Sequence, residues 1–326
     1  MLSAFLTARA LRPAMIVLAL AVSASCASSE EDAGDSEVGA DREQVQAAAA
    51  FYPLAEALER VGGDRVEVTN LTPPGGGPHD LELTPRQVTD LADVDLVLYL
   101  SGGFQPQVED AVGGLGDDVT VVDGLEGIDL LPAADQLQGT QGEADGEVLA
   151  DGSDPHVWVD PLLQAQIAED AHAALVDLDP DGAADFDAGL AAYQDELNTL
   201  DADYRAGLAD CDSRVIVTSH RAFEYLARRH DLVQIAIAGI TPDDDPDPRT
   251  LEAVADAARE NDVQVIFFEE QVPPDLAETV ADEIGASTDA LDPVESITQD
   301  RLDDGATYDT IMRENLDSLT EGLGCS

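Results

Sequence analysis

An almost uninterrupted helical period runs from Asp181 to Ala209, near the middle of a 326-residue chain. At about 1.5 Å per residue such a helix would be roughly 40 Å long, enough to cross one whole domain and reach a second. Gly189 and Gly207 interrupt it only mildly. On both sides the hydrophobic pattern alternates between short apolar runs and helical periods. Before the long helix, Gln44 to Val61 reads as a helix closed by Gly62-Gly63. Arg65 to Leu71 reads as a strand running into Pro73-Pro74-Gly75-Gly76-Gly77-Pro78. Thr84 caps a helix with Pro85 at its first position. Leu96 to Leu100 and Val119 to Val122 are continuous apolar runs of the buried, parallel-strand kind, and Pro161 to Leu178 is helical. After the long helix come strands at 215–218, 233–237 and 265–268, with helices at 222–230, 250–260, 275–284 and 307–323. The expected fold is therefore α/β, with two lobes, each a mainly parallel sheet flanked by helices, joined by a single long rigid helix.

The ends of the chain refine this division. Arg9 and Arg12 precede an apolar run from Ala14 to Val22, then the small residues Ser23-Ala24-Ser25 and Cys26. A basic segment, a short apolar segment and a small-residue zone make a signal peptide over 1–25, too short to span a bilayer. Residues 26–43 are rich in Ser, Glu, Asp and Gly, as a flexible tether would be. The expected parts are then a 44–179 lobe, a linking helix over 180–209 and a 210–326 lobe. The order Ser-Ala-Ser-Cys resembles a bacterial lipobox, which would make Cys26 the lipid-modified N-terminus, although Ser23 stands where Leu is usual. The alternative is an ordinary secretory signal and a periplasmic or secreted protein. Three cysteines are an odd number for an exported chain. With Cys26 lipidated, Cys211 and Cys325 remain, and an oxidising exterior allows them to pair.

Charge excludes whole classes of partner. The chain has 69 acidic residues against 15 basic ones, all Arg, for a formal net charge of -54. Nucleic acid would be repelled, and no basic patch is available for anionic lipid. Disorder is the other reading of such charge, but 44% hydrophobic residues in periodic runs supply a core. An acidic surface of this kind suits a medium of high salt.

Only five histidines occur. His79 follows the Pro/Gly cluster, His156 lies in Asp154-Pro155-His156-Val157-Trp158, and His220 follows the strand at 215–218. All three sit at strand-to-helix junctions, where parallel α/β folds bind ligands. Asp292, in Ala290-Leu291-Asp292-Pro293-Val294, lies at a junction of the same kind. Three imidazoles and one carboxylate complete a tetrahedral set for Zn²⁺, whereas Mn²⁺ favours more carboxylate. Their dispersal along the chain excludes a local zinc finger, so the fold must assemble them. His172 and His230 read as surface or partly exposed packing positions.

The segments PPGGGPHDLELTP, DPHVWVDP, TSHRAFEYLARRHDL and FFEEQV followed by ALDPV carry more information than the histidines alone. In order and context they resemble the metal-binding solute receptors of bacterial ABC importers, the zinc/manganese family called ZnuA/TroA-like. VTVVDGLEGIDLL, DLDP and TYDTIMRENLDSLTEGL extend the resemblance from about Val45 to the C-terminus. It implies two α/β lobes with metal in the cleft between them, held by His79 and His156 from the first lobe and His220 and Asp292 from the second. Manganese-type members carry Glu at the third position, so His220 favours zinc. Glu269 would support the site from behind its ligands, and Trp158, the only Trp, would pack beside it. The implied protein is not an enzyme. It is an exported, monomeric receptor, lipid-anchored through Cys26 on the outer face of the cytoplasmic membrane, that captures Zn²⁺ and delivers it to an ABC permease.

This chain departs from the family in three places. The acidic loop over 133–154, with Glu143, Asp145, Glu147 and Asp151, lacks the histidines of some zinc-type members. Pro78 stands where some members have an acidic ligand, and His230 where many have an aromatic residue. The rival readings are a manganese receptor, a zinc hydrolase with an open metal position, and an adhesin on the same fold. Because metal ligands must be deprotonated, affinity is expected to fall as pH drops toward ~6.5.

Overall fold

The computed structural model describes residues 44–79, 81–133, 149–242, 246–269 and 274–326. The expected signal peptide, Cys26, the tether and the acidic residues Glu143, Asp145 and Glu147 lie outside them. The first half contains β1 (Val45–Ala49), α1 (Tyr52–Gly62), β2 (Val66–Asn70), α2 (Pro85–Asp90), β3 (Leu96–Tyr99), α3 (Pro106–Val112), β4 (Thr120–Asp123) and α4 (Pro161–Leu178). Its four strands form one parallel sheet in the order β2-β1-β3-β4.

The segment Gln44 to Val61 is not one helix. Its first part is the central strand β1, paired with β2 from Val45↔Val66 and with β3 from Ala47↔Leu96. The alanine run favours helix by propensity. Ala47 to Ala50 are at most 1% exposed, however, and small side chains let helices close over both faces of a central strand. Pro53 then fits the first turn of α1, where its missing N–H costs nothing.

The linking element α5 (Ala183–Gly207) has 25 residues, about 37 Å at the helical rise. Arg65 fixes its start, pairing with Asp179 at 2.5 Å and Asp185 at 2.6 Å. Arg60, on α1, grips Glu196 with two hydrogen bonds of 2.7 and 2.6 Å. Gly189 is required by contact, because a Cβ there would lie 2.5 Å from the Val61 carbonyl oxygen. The glycine that looks like a weak point in the period lets α5 lie directly on the end of α1.

The second half contains β5 (Val215–Thr218), α6 (Glu224–Arg229), β6 (Val233–Ala236), α7 (Pro248–Glu260), β7 (Val265–Phe268), α8 (Asp275–Ile284), β8 (Ser287–Ala290), α9 (Gln299–Asp303) and α10 (Tyr308–Gly322). Its parallel sheet runs β6-β5-β7-β8, repeating the order of the first. β8, with sequence Ser-Thr-Asp-Ala, sits at the sheet edge and has no residue classed as buried, so its sequence lacks the apolar signature of the other strands. Cys211 and Cys325 form a disulfide, tying the start of this half to the chain's end.

The halves share a core. One continuous cluster of buried side chains runs from β1 and α1 through α4 and α5 to Phe223, Leu291, Val294, Ile311 and Leu323. A separate cluster, with Val217, Val254, Ile266 and Val280, fills the far side of the second sheet. The two lobes therefore meet over packed apolar surface, which favours one fixed arrangement rather than an open hinge.

Candidate metal centre

In each sheet the chain crosses over between its two middle strands, β1 and β3 in one, β5 and β7 in the other. Side chains placed just beyond the carboxyl ends of such strands converge on a common crevice. His79 comes from the loop after β2, His220 follows β5, and Glu269 directly follows β7. Glu295 follows β8, and His156 precedes a single 3-10 turn at Val157–Val159 that leads into α4.

His79, His156, His220 and Glu295 come together, with one donor atom from each lying within 4.8 Å of the others. Glu295 Oε1 is 3.3 Å from His79 Nε2, and 3.2 Å from both His156 Nε2 and His220 Nε2. Ligands 2.0–2.1 Å from a tetrahedral zinc are separated from each other by about 3.3 Å. The observed separations from the carboxylate thus match a zinc tetrahedron's edge. All four side chains are buried. His156 Nε2 has no hydrogen-bond partner in good geometry despite its burial, which is the state of a nitrogen arranged to bind something else.

Carboxylates stand behind two of the three imidazoles. Asp154 Oδ1 lies 2.8 Å from His156 Nδ1 and also accepts the His156 backbone N–H. Glu269 Oε1 lies 2.5 Å from His220 Nδ1. Each acceptor favours a proton on Nδ1 and turns Nε2 toward the centre, an arrangement that also raises ligand basicity. Burial alone would push the His220 imidazolium down, but Glu269 and Glu295 overcome it and raise the group to about 10. Burial likewise works against the charge of Glu295, yet the imidazoles of His79 and His220, with His156 close beside them, hold it well below the usual carboxylate range.

An aromatic wall keeps the centre dry. Phe104 meets the His79 ring edge-on at 5.0 Å, and Trp158 lies 5.1 Å from the His156 ring. Phe51 joins both aromatics. The Trp158 indole N–H donates to the Pro293 carbonyl at 2.8 Å. On another side Glu295 borders a cleft of about 100 Å³ between Tyr52, Glu59, Asn70 and Thr72 of the first half and Ile297 and Leu302 of the second.

Asp292 does not join the four. Its Oδ1 accepts the Val294 N–H at 2.7 Å, and its Oδ2 lies 3.8 Å from Arg301. The turn it forms carries the chain onward so that Glu295, three residues later, reaches the imidazoles. Nothing in the residue pattern marks Glu295 beyond its position shortly after a strand-end turn. Asp154 had a readable signal, two residues before His156, where a short side chain folds back on the following backbone. His230 packs as expected but is more deeply buried. It is 5% exposed and stacks on Tyr204 at 5.4 Å.

The donor set, three imidazoles and one carboxylate in a dry pocket, fits Zn²⁺. Known proteins point the same way. The profile of ZnuA, zinc-uptake complex component A, periplasmic, matches residues 48–322. The high-affinity zinc uptake system protein ZnuA of Bacillus subtilis (strain 168) is 33% identical over 274 residues, covering 84% of this chain and 86% of that protein. Zinc-binding lipoprotein AdcA of Streptococcus pneumoniae (strain ATCC BAA-255 / R6) is 31% identical over 83% of this chain, which spans 54% of that longer protein. The crystal structure of the Zn(II)-bound ZnuA-like domain of Streptococcus pneumoniae AdcA superposes with a TM-score of 0.72 at 30% identity, covering 86% of this chain and 99% of that one. With its strands, its long helix and most of its length matched in this way, the chain belongs to the ZnuA family of zinc-uptake components.

Proposed function

We propose that this chain is an exported receptor that captures Zn²⁺ between its two lobes and delivers it to the permease of an ABC importer. One observation carries the reading: three buried imidazole nitrogens lie within 4.8 Å of one another, and each stands 3.2–3.3 Å from one carboxylate oxygen, the edge of a zinc tetrahedron. His79, His156, His220 and Glu295 are the ligands, and Asp154 and Glu269 orient two of the imidazoles. Three carboxylates around a dication leave the centre with a single negative charge, which holds the ion firmly without dispersing it over the acidic surface. Four protein donors also fill a tetrahedral zinc, so no position is left for a hydrolytic water, as a zinc hydrolase would require. Only one carboxylate in four donors favours zinc over manganese.

Delivery suits a protein held at the outer membrane face. No helix among the described residues is long and apolar enough to cross a membrane, so the anchor in this reading is lipid on Cys26. The Ser-Ala-Ser-Cys order, the polar tether behind it and the printed description of the pneumococcal relative as a lipoprotein support that anchor. The receptor acts as a monomer.

Zinc titration by competition with a chromogenic chelator tests the reading. His156→Ala, His220→Ala and Glu295→Ala each weaken affinity by about a hundredfold or more, whereas Asp292→Asn, which keeps the acceptor for the Val294 N–H and removes only the charge of a residue outside the donor set, costs far less. Wild-type affinity in the first three variants would overturn it.

A further inference from the structure

Glu295 reaches the three imidazoles only because the backbone before it is bent. Val294 has φ 59°, the left-handed region, although it is β-branched and fully buried. A residue of that kind is a marked outlier there and needs its surroundings to hold it. The holding groups are specific. Asp292 Oδ1 accepts the Val294 N–H at 2.7 Å. Asn315, on α10, brackets Asp292 itself: its Oδ1 accepts the Asp292 N–H at 2.8 Å, and its Nδ2 donates to the Asp292 carbonyl at 2.6 Å. From the other side the Trp158 indole holds the Pro293 carbonyl. Asn315 is 3% exposed, so water does not compete for these bonds.

We infer that Asn315 is a positioning residue for the carboxylate ligand, acting through the strained Asp292–Glu295 turn. This rests on the reading of Glu295 as a ligand. Only Asn satisfies both backbone groups of Asp292 from this distance, since Asp lacks the donor and Leu lacks both partners. The helix that carries it is fixed in turn. Tyr204 of α5 donates to the Met312 carbonyl at 2.6 Å, and Arg313 pairs with Asp203 at 2.7 Å. The terminal helix thus transmits the position of the linking helix to one metal donor. That gives a role to the segment TYDTIMRENLDSLTEGL, which supplies none of the centre's four donors.

The test is a double-mutant cycle on the full chain, reading zinc affinity by chelator competition. Asn315→Leu is expected to weaken zinc by about 10–100-fold, the usual range for a residue that supports a ligand from behind. In a Glu295→Ala background the same substitution should add no more than about twofold, because the carboxylate it positions is already gone. In a His156→Ala background it should keep its full effect. A loss that multiplies with Glu295→Ala marks general damage and overturns the inference, as does affinity within twofold of wild type for Asn315→Leu alone. Wild-type affinity in Glu295→Ala overturns the ligand reading instead, and with it this inference. Should circular dichroism show Asn315→Leu unfolded, Asn315→Asp, which keeps volume and acceptor but loses the donor, takes its place in the same cycle with the same outcomes.

Discussion

Arg229 and Asp160 join the two halves of the chain: the Arg229 Nε–H donates to Asp160 Oδ1, the same oxygen that caps α4 by accepting the Leu162 N–H. Asp160 belongs to the segment that begins at His156, and Arg229 ends the helix that follows His220. The contact therefore braces two ligand-bearing segments against each other. Asp201 of the linking helix approaches the same guanidinium at 4.0 Å. Burial raises Asp160, and Arg229 counters that rise.

Removing the cation strands the buried carboxylate. Arg229→Ala should cost about 3–5 kcal/mol, the usual penalty for breaking a buried pair from one side. Asp160→Asn/Arg229→Met should recover much of it. Urea midpoints of the two variants check this, and equal losses in both would refute it.

Acid should act through His230. Burial pushes it down to about 4; Asp201 opposes the fall, and Arg229, Arg205 and Arg214 add to it. An unfolded histidine takes up its proton near ~6.5. Between ~6.5 and about 4 the unfolded chain therefore holds a proton that the folded chain refuses, and stability falls as pH drops through that window. Above it the contribution is complete. His230→Phe keeps a ring against Tyr204 without a titrating group. The difference in urea midpoint between wild type and His230→Phe should shift in the variant's favour from pH 7 to pH 4.5, and a difference constant across that range would count against the assignment.

Most of the fold was legible because its signals are local. Apolar runs such as Val215–Thr218 and Val265–Phe268 can be little else than buried strands, and α4 and α5 carry long helical periods. The misses share a cause in tertiary context. β1 is an alanine run whose central place in the sheet overrides its propensity, and β8 is a polar edge strand with no buried residue. At the site, histidines are few enough for position to single them out. Carboxylates are not, since 69 acidic residues make any single one uninformative. Choosing between Asp292 and Glu295 required the turn geometry at Val294, which no pattern of residue types encodes.

The surface charge yields a prediction about salt. A net charge of -54 repels itself in the compact state, and the Debye length shrinks from about 10 Å at 0.1 M to about 3 Å at 1 M. Raising KCl from 0.1 to 2 M should therefore raise the melting temperature of the metal-free protein. The pair between Arg229 and Asp160 is partly shielded from that screening by its burial. A melting temperature that falls with salt would show that ion pairs, and not repulsion, dominate the surface.

Zinc uptake should expel a proton well above the ordinary histidine range. In the metal-free protein Glu269 and Glu295 raise His220 to about 10 against the effect of burial, which favours the imidazolium at pH 7. Its Nδ1 faces Glu269 at 2.5 Å and its Nε2 faces Glu295 at 3.2 Å, so each proton of the imidazolium has a carboxylate acceptor. Zinc needs that Nε2 lone pair, so binding must release the proton. Glu295 is already ionised and releases none. Apparent affinity should thus keep rising with pH from 7 toward about 10, by up to tenfold per unit, rather than levelling off just above ~6.5. Glu269→Gln removes the carboxylate with the stronger hold on the proton, and should move the plateau to lower pH while weakening affinity above it. Calorimetry at pH 7.5 in buffers of different ionisation enthalpy reads the proton directly. About one proton released per zinc in wild type and fewer in Glu269→Gln is the expected result, and none released in wild type would refute it.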